Sequence, residues 1–247
     1  MKKNKIVMSV VSGLLVAAVA VGGTLAYLSD TSNQVTNTFN VGSGYVPDPD
    51  PDVDHTGLWL DEADFDGKNE QGEPAERTET GNTYGEILPG TQVEKDPTFH
   101  MTADSIDSYV FAEVKGVDAM IAQDYMFSDT EIVTEENFKN NFSSNWQKVD
   151  GTDGFDGLWV YGTLVDGEIV PTKVVSDKST EEEVGVDVDL DAMFNYVKLS
   201  EKVENADFEL MDEDVITVRG VAVQWANMTM AQAQAEAERV LIENPIV

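Results

Sequence analysis

The sequence predicts a mainly β protein, an antiparallel β-sandwich with inserted helices and a helix at its carboxyl end. Short apolar runs separated by clusters of turn residues are typical of this fold class. Residues 158–165 and 168–175 flank an Asp-Gly pair, which favours a hairpin with a two-residue turn. Residues 229–243 are rich in alanine and begin with the capping-box pair Thr229 and Gln232, so they predict a helix.

The other strands follow from apolar periodicity. They are expected, in chain order, at residues 56–61, at Phe99 and Met101, and at residues 109–115, 184–191 and 215–225. In residues 184–191 apolar side chains alternate with glycine or aspartate, which predicts a half-buried strand with its acids outward. Residues 215–225 are long and apolar, so we expect a central strand there.

Helical or mixed structure is expected between the strands, over residues 117–127 and 131–146. Phe138, Phe142 and Trp146 repeat every four residues, and this spacing favours one face of a helix. Leu88 to Thr91, with Pro-Gly at its centre, predicts a turn before a strand.

Residues 1–26 have the pattern of an export signal. Three lysines precede an apolar run over residues 6–21, and small residues then lead to a cleavage site between Ala26 and Tyr27. The alternative is a retained membrane anchor, because weak apolar character continues to Leu28 and about 20 residues suffice to span a bilayer.

After the signal we expect an extended segment at residues 27–46 and a linker at residues 47–54. One sandwich domain should follow at residues 55–247, with an acidic insert at residues 61–82. Val35, Phe39 and Val41 could line one face of a strand in the extended segment. That strand could pair with its own domain or with another subunit. The linker alternates proline with aspartate, which predicts a stiff, solvated connection.

Composition limits the classes of function. The formal net charge is −32, with 47 acidic residues against 15 lysines and arginines. Nucleic-acid binding needs clustered basic side chains, so no nucleic-acid partner is expected. The sequence has no cysteine, which excludes disulfides, thiol catalysis and cysteine-ligated metal. Self-association of such a chain must use backbone pairing or apolar contact, or be helped by cations or low pH.

Three groups of motifs carry a resemblance to a known family. LAYLSDT at residues 25–31 is followed by NTFNVG at residues 37–42, LPGTQVEKDP at 88–97 leads to SYVFAEV at 108–114, and ITVRGVAVQ occupies 216–224. These motifs resemble the TasA/camelysin family, in which a SipW-type signal peptidase cuts at the corresponding place. The resemblance is dense at these motifs and thin elsewhere, and the linker and the acidic insert depart from the family pattern.

The resemblance implies a jelly-roll sandwich that serves as a fibre subunit of a biofilm matrix. In such fibres the segment exposed by signal cleavage enters the next subunit as an added strand. Here the donor strand would run from Tyr27 to about Val41, with contacts from Tyr27, Leu28, Val35, Phe39 and Val41. We therefore expect a secreted protein of the extracellular matrix or cell surface. Its partners would be further copies of itself, in a head-to-tail homopolymer, and a SipW-type signal peptidase. The membrane would be contacted only through the uncleaved signal.

Two alternatives come from other classes of function. Camelysin-like relatives carry a metallopeptidase label, but zinc catalysis needs three protein ligands and an open position. The two histidines, His55 and His100, do not fit the His-Glu-x-x-His pattern, so we expect no catalytic residue, no enzymatic activity and partly exposed histidines. The second alternative is a monomeric surface-binding module that uses the sandwich loops.

A weak calcium candidate lies in the acidic insert. Glu62, Asp64, Asp66 and Glu73 occupy positions 1, 3, 5 and 12 of an EF-hand-like loop, with Gly67 at position 6. Position 1 is Glu instead of Asp, and no amphipathic helices flank the loop. A solvated acidic loop is the preferred interpretation, and calcium is the one cofactor that the sequence leaves open.

Overall fold

The computed structural model describes residues 29–31, 45, 47, 55–64, 77–82, 88–203 and 216–245. The strands are β1 (Ser29–Thr31), β2 (Leu58–Ala63), β3 (Arg77–Thr78), β4 (Gln92–Glu94), β5 (Thr98–Met101), β6 (Ser108–Lys115), β7 (Tyr125–Ser128), β8 (Trp146–Lys148), β9 (Gly157–Val165), β10 (Glu168–Pro171), β11 (Val188–Asp189), β12 (Tyr196–Leu199) and β13 (Thr217–Gln224). The helices are α1 (Val117–Ala122) and α2 (Met230–Glu243).

The described strands form three sheets with antiparallel pairing. The largest has the order β1-β13-β6-β9-β10, and β8 also pairs with β9. The two smaller sheets have the orders β11-β5-β2-β3 and β4-β12-β7. The predicted mainly β fold class is confirmed, since antiparallel strands make up most of the regular structure.

The two faces of the large sheet are covered by different partners. On β6, Val110, Ala112 and Val114 point into a core that also contains residues of both small sheets, such as Phe99 and Phe127. This packing of sheet on sheet is the arrangement of a β-sandwich. The period of two along β6 places its other side chains on the opposite face.

Helix α2 covers that opposite face. Its Ala233, Ala237 and Val240 pack with Phe111 of β6 and Val221 of β13. The predicted capping box is confirmed, because the Thr229 side chain accepts from the backbone N–H of Gln232 and the Gln232 side chain accepts from that of Thr229. The expectation that this helix packs on the sandwich is also confirmed.

Gly220 allows β13 to approach the facing sheet closely. A Cβ added at this position would lie 2.8 Å from Leu58 Cδ2 and in conflict with the Phe99 ring. The aromatic and aliphatic side chains of β5 and β2 therefore occupy space that any other residue at position 220 would need.

The predicted hairpin is confirmed as β9 and β10. Asp166 and Gly167 both have positive φ, at 51° and 85°, which is the requirement of a type I′ turn. Strand β10 ends at Pro171, four residues before the predicted end at residue 175. The strands predicted near residues 56–61, 99–101, 109–115 and 215–225 are also confirmed, as β2, β5, β6 and β13.

For residues 131–146, expected to be helical or mixed, the helical face predicted from Phe138, Phe142 and Trp146 is wrong. Residues 131–145 form turns and irregular backbone, and β8 follows. Their backbone groups bond to distant partners instead of along a helix: Asn141 N–H donates to Phe127 O at 3.1 Å, and Ser143 N–H donates to Met193 O at 2.8 Å. Phe142 and Trp146 are both buried in the core, the first from irregular backbone and the second from the start of β8.

The strand predicted over residues 184–191 is largely wrong, since only Val188 and Asp189 pair as β11. Val184 and Val186 are 66% and 68% exposed. Gly185 N–H donates to Ser179 Oγ and Val186 N–H donates to Asp177 Oδ2, so side chains take the donors that a strand ladder would have used.

Candidate functional site

Strand β1 lies at the edge of the large sheet, beside β13. Ser29, Asp30 and Thr31 are the antiparallel partners of Val223, Ala222 and Val221 in the same chain. Strand β1 is three residues long and β13 is eight, so β1 covers less than half of the strand it pairs with. Residues 29–31, which begin two residues after Tyr27, are thus paired within their own sandwich.

All six residues named for the cleavage site and the donor strand lie outside the described residues. They are Ala26, Tyr27, Leu28, Val35, Phe39 and Val41. The predicted signal at residues 1–26 also lies outside them. Among the described residues, no helix has the length and apolar character needed to cross a membrane. Of the predicted linker, Pro47 is described, and it forms an antiparallel bridge with Thr56.

The outer face of β13 carries Arg219, whose side chain is buried. Arg219 Nε donates to Glu113 Oε2 of β6 at 2.6 Å, and Nη2 donates to the carbonyl of Leu241 at 3.0 Å. A further bond from Nη1 reaches the carbonyl of Asn244. A cation at the carboxyl end of a helix satisfies unpaired carbonyls and complements the helix dipole. Arg219 therefore ties α2 to the strand that accepts β1.

A cluster of charged and aromatic side chains lies on the four-stranded sheet, centred on His100 of β5. His100 Nε2 is 2.8 Å from Asp61 Oδ1 of β2, and His100 Nδ1 is 2.7 Å from Asp189 Oδ1 of β11. His100 is 6% exposed, so the expectation of a partly exposed histidine is wrong at this position. Three strands that are distant in sequence are joined by this one ring.

Trp59 lies between the two histidines as a stack of three rings. Its centroid is 3.8 Å from that of His55 and 3.9 Å from that of His100, with interplanar angles of 19° and 17°. The Trp59 indole N–H donates to Asp187 Oδ2 at 2.7 Å, and His55 Nε2 is 2.7 Å from Glu79 Oε1. The stack connects the segment before β2 to the loop before β11.

Arg77 of β3 extends the cluster on the side away from Asp189. Its Nε is 2.8 Å from Asp61 Oδ1, and its Nη1 donates to Asp96 Oδ2 at 2.7 Å. Asp61 therefore receives bonds from both His100 and Arg77. Such paired, hydrogen-bonded charges are the usual condition for burying a carboxylate.

The pKa values of the central pair shift in opposite directions. Burial lowers the pKa of His100, but the hydrogen bonds and charges of Asp61 and Asp189 outweigh it and hold the pKa above its ordinary value of 6.5. Burial raises the pKa of Asp61, but the hydrogen bonds and charges of His100 and Arg77 outweigh it and hold the pKa below 3.8. Both groups are stabilised in their charged forms.

The predicted calcium residues are only partly described. Glu62 lies inside β2, where its carboxylate accepts from Lys95 Nζ at 2.5 Å and from the Asn82 side chain at 2.8 Å. Asp64 follows β2, while Asp66 and Glu73 lie outside the described residues. The first position of the EF-hand-like pattern is thus in a strand and bonded to a lysine. Within the described parts of the chain, no group of three or more His, Asp or Glu side chains could hold a metal ion.

The His100 cluster was missed by sequence reasoning because its members are far apart. Asp61, His100 and Asp189 come from three strands, and the third of these is only two residues long. One usable signal was present: a histidine at an even position between the apolar Phe99 and Met101, which a strand would place opposite to their shared face. Comparison with protein-family models, with curated proteins and with solved structures finds no match for this chain.

Proposed function

We propose that this protein is an exported structural subunit that assembles into an extracellular fibre after its signal is removed. The segment that begins at Tyr27 would leave its own sheet and pair with β13 of the next subunit. The supporting observation is the pairing of Ser29–Thr31 with Val221–Val223. It supports the proposal because this backbone fits the β13 edge, and an identical edge exists on every copy.

The proposed contact exchanges an intramolecular strand for an intermolecular one. The hydrogen bonds are the same in both forms, so the exchange has the character of domain swapping. A three-residue strand contributes only a few backbone hydrogen bonds, each worth about 1 kcal/mol net, against a global stability of about 5–15 kcal/mol. Strand β1 can therefore leave the edge while the sandwich stays folded.

The geometry of the exchange favours a growing polymer. Each subunit would offer its donor segment to one neighbour and its β13 edge to another, and such a head-to-tail contact extends as a filament when its rotation does not close a ring. Main-chain pairing supplies attraction, which suits a chain of net charge −32 because it needs no complementary charge.

Cysteine cross-linking tests this proposal without interference from native thiols, because the chain has no cysteine of its own. Asp30 and Ala222 are direct partners across the β1–β13 ladder. In the double variant D30C/A222C, an intramolecular disulfide should lock β1 in its own sheet and keep the protein monomeric. Reduction should restore fibre growth, which electron microscopy would follow at mildly acidic pH or with added calcium.

The same substitutions, placed in separate molecules, test exchange between subunits. A mixture of D30C and A222C should yield disulfide-linked dimers, whereas D30C mixed with D166C at the exposed hairpin turn should not. Fibres that form from a folded chain without residues 27–41 would overturn the donor assignment. A protein that stays monomeric under all of these conditions would favour the surface-binding module, and chelator-sensitive casein cleavage would favour the metallopeptidase.

A further inference from the structure

His100 faces two carboxylates with its two ring nitrogens. A neutral imidazole has one N–H and one lone pair, so it can donate to only one of two acceptors. Asp61 Oδ1 and Asp189 Oδ1 lie at 2.8 and 2.7 Å, both within hydrogen-bond distance. Both contacts are favourable only when the ring carries two protons, which makes the arrangement specific for imidazolium.

The two carboxylates differ in what each would lose if the ring became neutral. Asp61 is buried and also bonded to Arg77, so separating it from a donor would leave a buried charge poorly compensated. The Asp189 side chain is 73% exposed and can turn to water. The neutral ring would therefore keep its single N–H at Nε2, where it donates to Asp61. The Nδ1 lone pair would then face the Asp189 carboxylate.

Strand β11 is short, and attachments flank it on both sides: Asp187 accepts from the Trp59 indole and the Ala103 N–H, and Leu190 is buried in the core. The strand consists of Val188 and Asp189, which pair with Met101 and His100, and the next residue donates from Leu190 N–H to Phe99 O at 2.8 Å. It is the edge strand of its sheet. A repulsive contact at one of the two paired positions therefore weakens the β11–β5 ladder.

The other charged groups near the ring also affect the protonation equilibrium of His100. From β2 the ring meets Asp61 and the Trp59 face, and from β11 it meets Asp189. Arg77 of β3 contacts Asp61, and Asp187 binds the Trp59 indole instead of the ring. Two carboxylates thus contact the ring directly, whereas the one cation, Arg77, contacts only Asp61. This arrangement favours the protonated ring.

We propose that His100 is a proton-operated clasp for strand β11. With the ring protonated, Asp189 is held and β11 is docked on β5. When the ring loses its proton, Asp189 is released and the β11–β5 ladder opens more often, while Asp187 and the buried Leu190 keep the segment beside the sheet. This device does not depend on fibre assembly.

Nuclear magnetic resonance of the folded protein tests the clasp directly, since the chain has two histidines. In H55Q the remaining imidazole signal belongs to His100, and its midpoint should lie above 6.5, the ordinary value. In H55Q/D189N the midpoint should fall, because one of the two carboxylates is neutral. A midpoint at or below 6.5, or one that D189N leaves unchanged, would overturn the proposal.

Hydrogen exchange reports the opening of the β11–β5 ladder. After correction for intrinsic exchange, protection of the Leu190 amide should fall by up to tenfold per pH unit between 6.5 and the His100 midpoint and level off above it, relative to amides of the β6–β13 ladder. In H100Q this pH dependence should disappear, and in H55Q, which alters the opposite face of Trp59, it should persist. Equal pH dependence in wild type and H100Q would contradict the clasp.

Discussion

Arg219 on β13 donates to the carbonyl of Leu241 in the last turn of α2 at 3.0 Å. The same side chain bonds to Glu113 on β6, so one guanidinium joins two central strands to the helix that covers them. The two strands belong to the sheet that also contains β1, and α2 packs against that sheet.

Replacing Arg219 with alanine should lower the free energy of unfolding by about 3 kcal/mol. The loss leaves Glu113 without its buried partner and removes the bonds to the helix carbonyls. Denaturant unfolding followed by circular dichroism would measure the change. Lys173→Ala is a matched control, because its ion pair with Asp107 at 2.7 Å is exposed and should contribute less than about 1 kcal/mol. Equal effects in the two variants would refute this role of Arg219.

Gly220→Ala should destabilise the sandwich by about 1–3 kcal/mol, the usual cost of overpacking a core. The added methyl would meet Leu58 and Phe99, which pack directly against the β13 backbone. Thermal unfolding would detect the effect, with Thr217→Val on the same strand expected to change stability by less than about 0.5 kcal/mol. A Gly220→Ala protein as stable as the wild type would show that β13 can move away from the facing sheet.

Thr229→Ala should cost about 1 kcal/mol of stability, since the hydroxyl accepts the backbone N–H of Gln232 at the start of α2. Thr229→Ser keeps an acceptor at the same place and should retain most of that stability. Chemical denaturation of both variants provides the comparison. If serine were as harmful as alanine, the methyl group of Thr229 and not its hydroxyl would be the contributing part.

The His100–Asp61 pair should give the folding free energy a dependence on pH in both directions. The pKa of His100 is raised in the folded state, so its contribution is complete below 6.5 and is lost as pH rises through the folded value. The pKa of Asp61 is lowered, so its contribution is complete above 3.8 and is lost as pH falls through the folded value. Both contributions are present together between 3.8 and 6.5.

Unfolding titrations in urea at a series of pH values would measure this dependence. In H100Q the loss of stability on the alkaline side should be smaller than in the wild type, because the titrating ring is absent. His55→Gln is the control for removal of a histidine from the same aromatic stack. An alkaline slope that is unchanged in H100Q would assign the pH dependence to other groups.

Local chemistry accounts for the elements that the sequence predicts well. Asp166 and Gly167 define their turn through their own backbone preferences, and Thr229 and Gln232 cap a helix through bonds three residues apart. These contacts lie within a few residues of one another, so neighbouring sequence determines them. The nearly continuous apolar runs of β6 and β13 likewise indicate strands that are buried on both faces.

Contacts between distant segments account for the elements that the sequence predicts poorly. Residues 131–145 have a spacing that favours a helix, yet their backbone bonds to β7 and to Met193. The valines at positions 184 and 186 alternate as in a strand, but the N–H groups of Gly185 and Val186 donate to the side chains of Ser179 and Asp177. The partners of His100 could not be read from the sequence, because any of 47 acidic residues was available to it.

The pairing of Ala63 with Arg77 has a consequence for how the chain can vary. Because these two positions face each other across a ladder, the two ends of the acidic stretch between them lie close together. Doubling the length of a flexible connection costs only about 0.6 kcal/mol of loop-closure entropy. This stretch is accordingly a suitable insertion site, where sequence can be added, shortened or exchanged for a foreign domain while β2 and β3 keep their register.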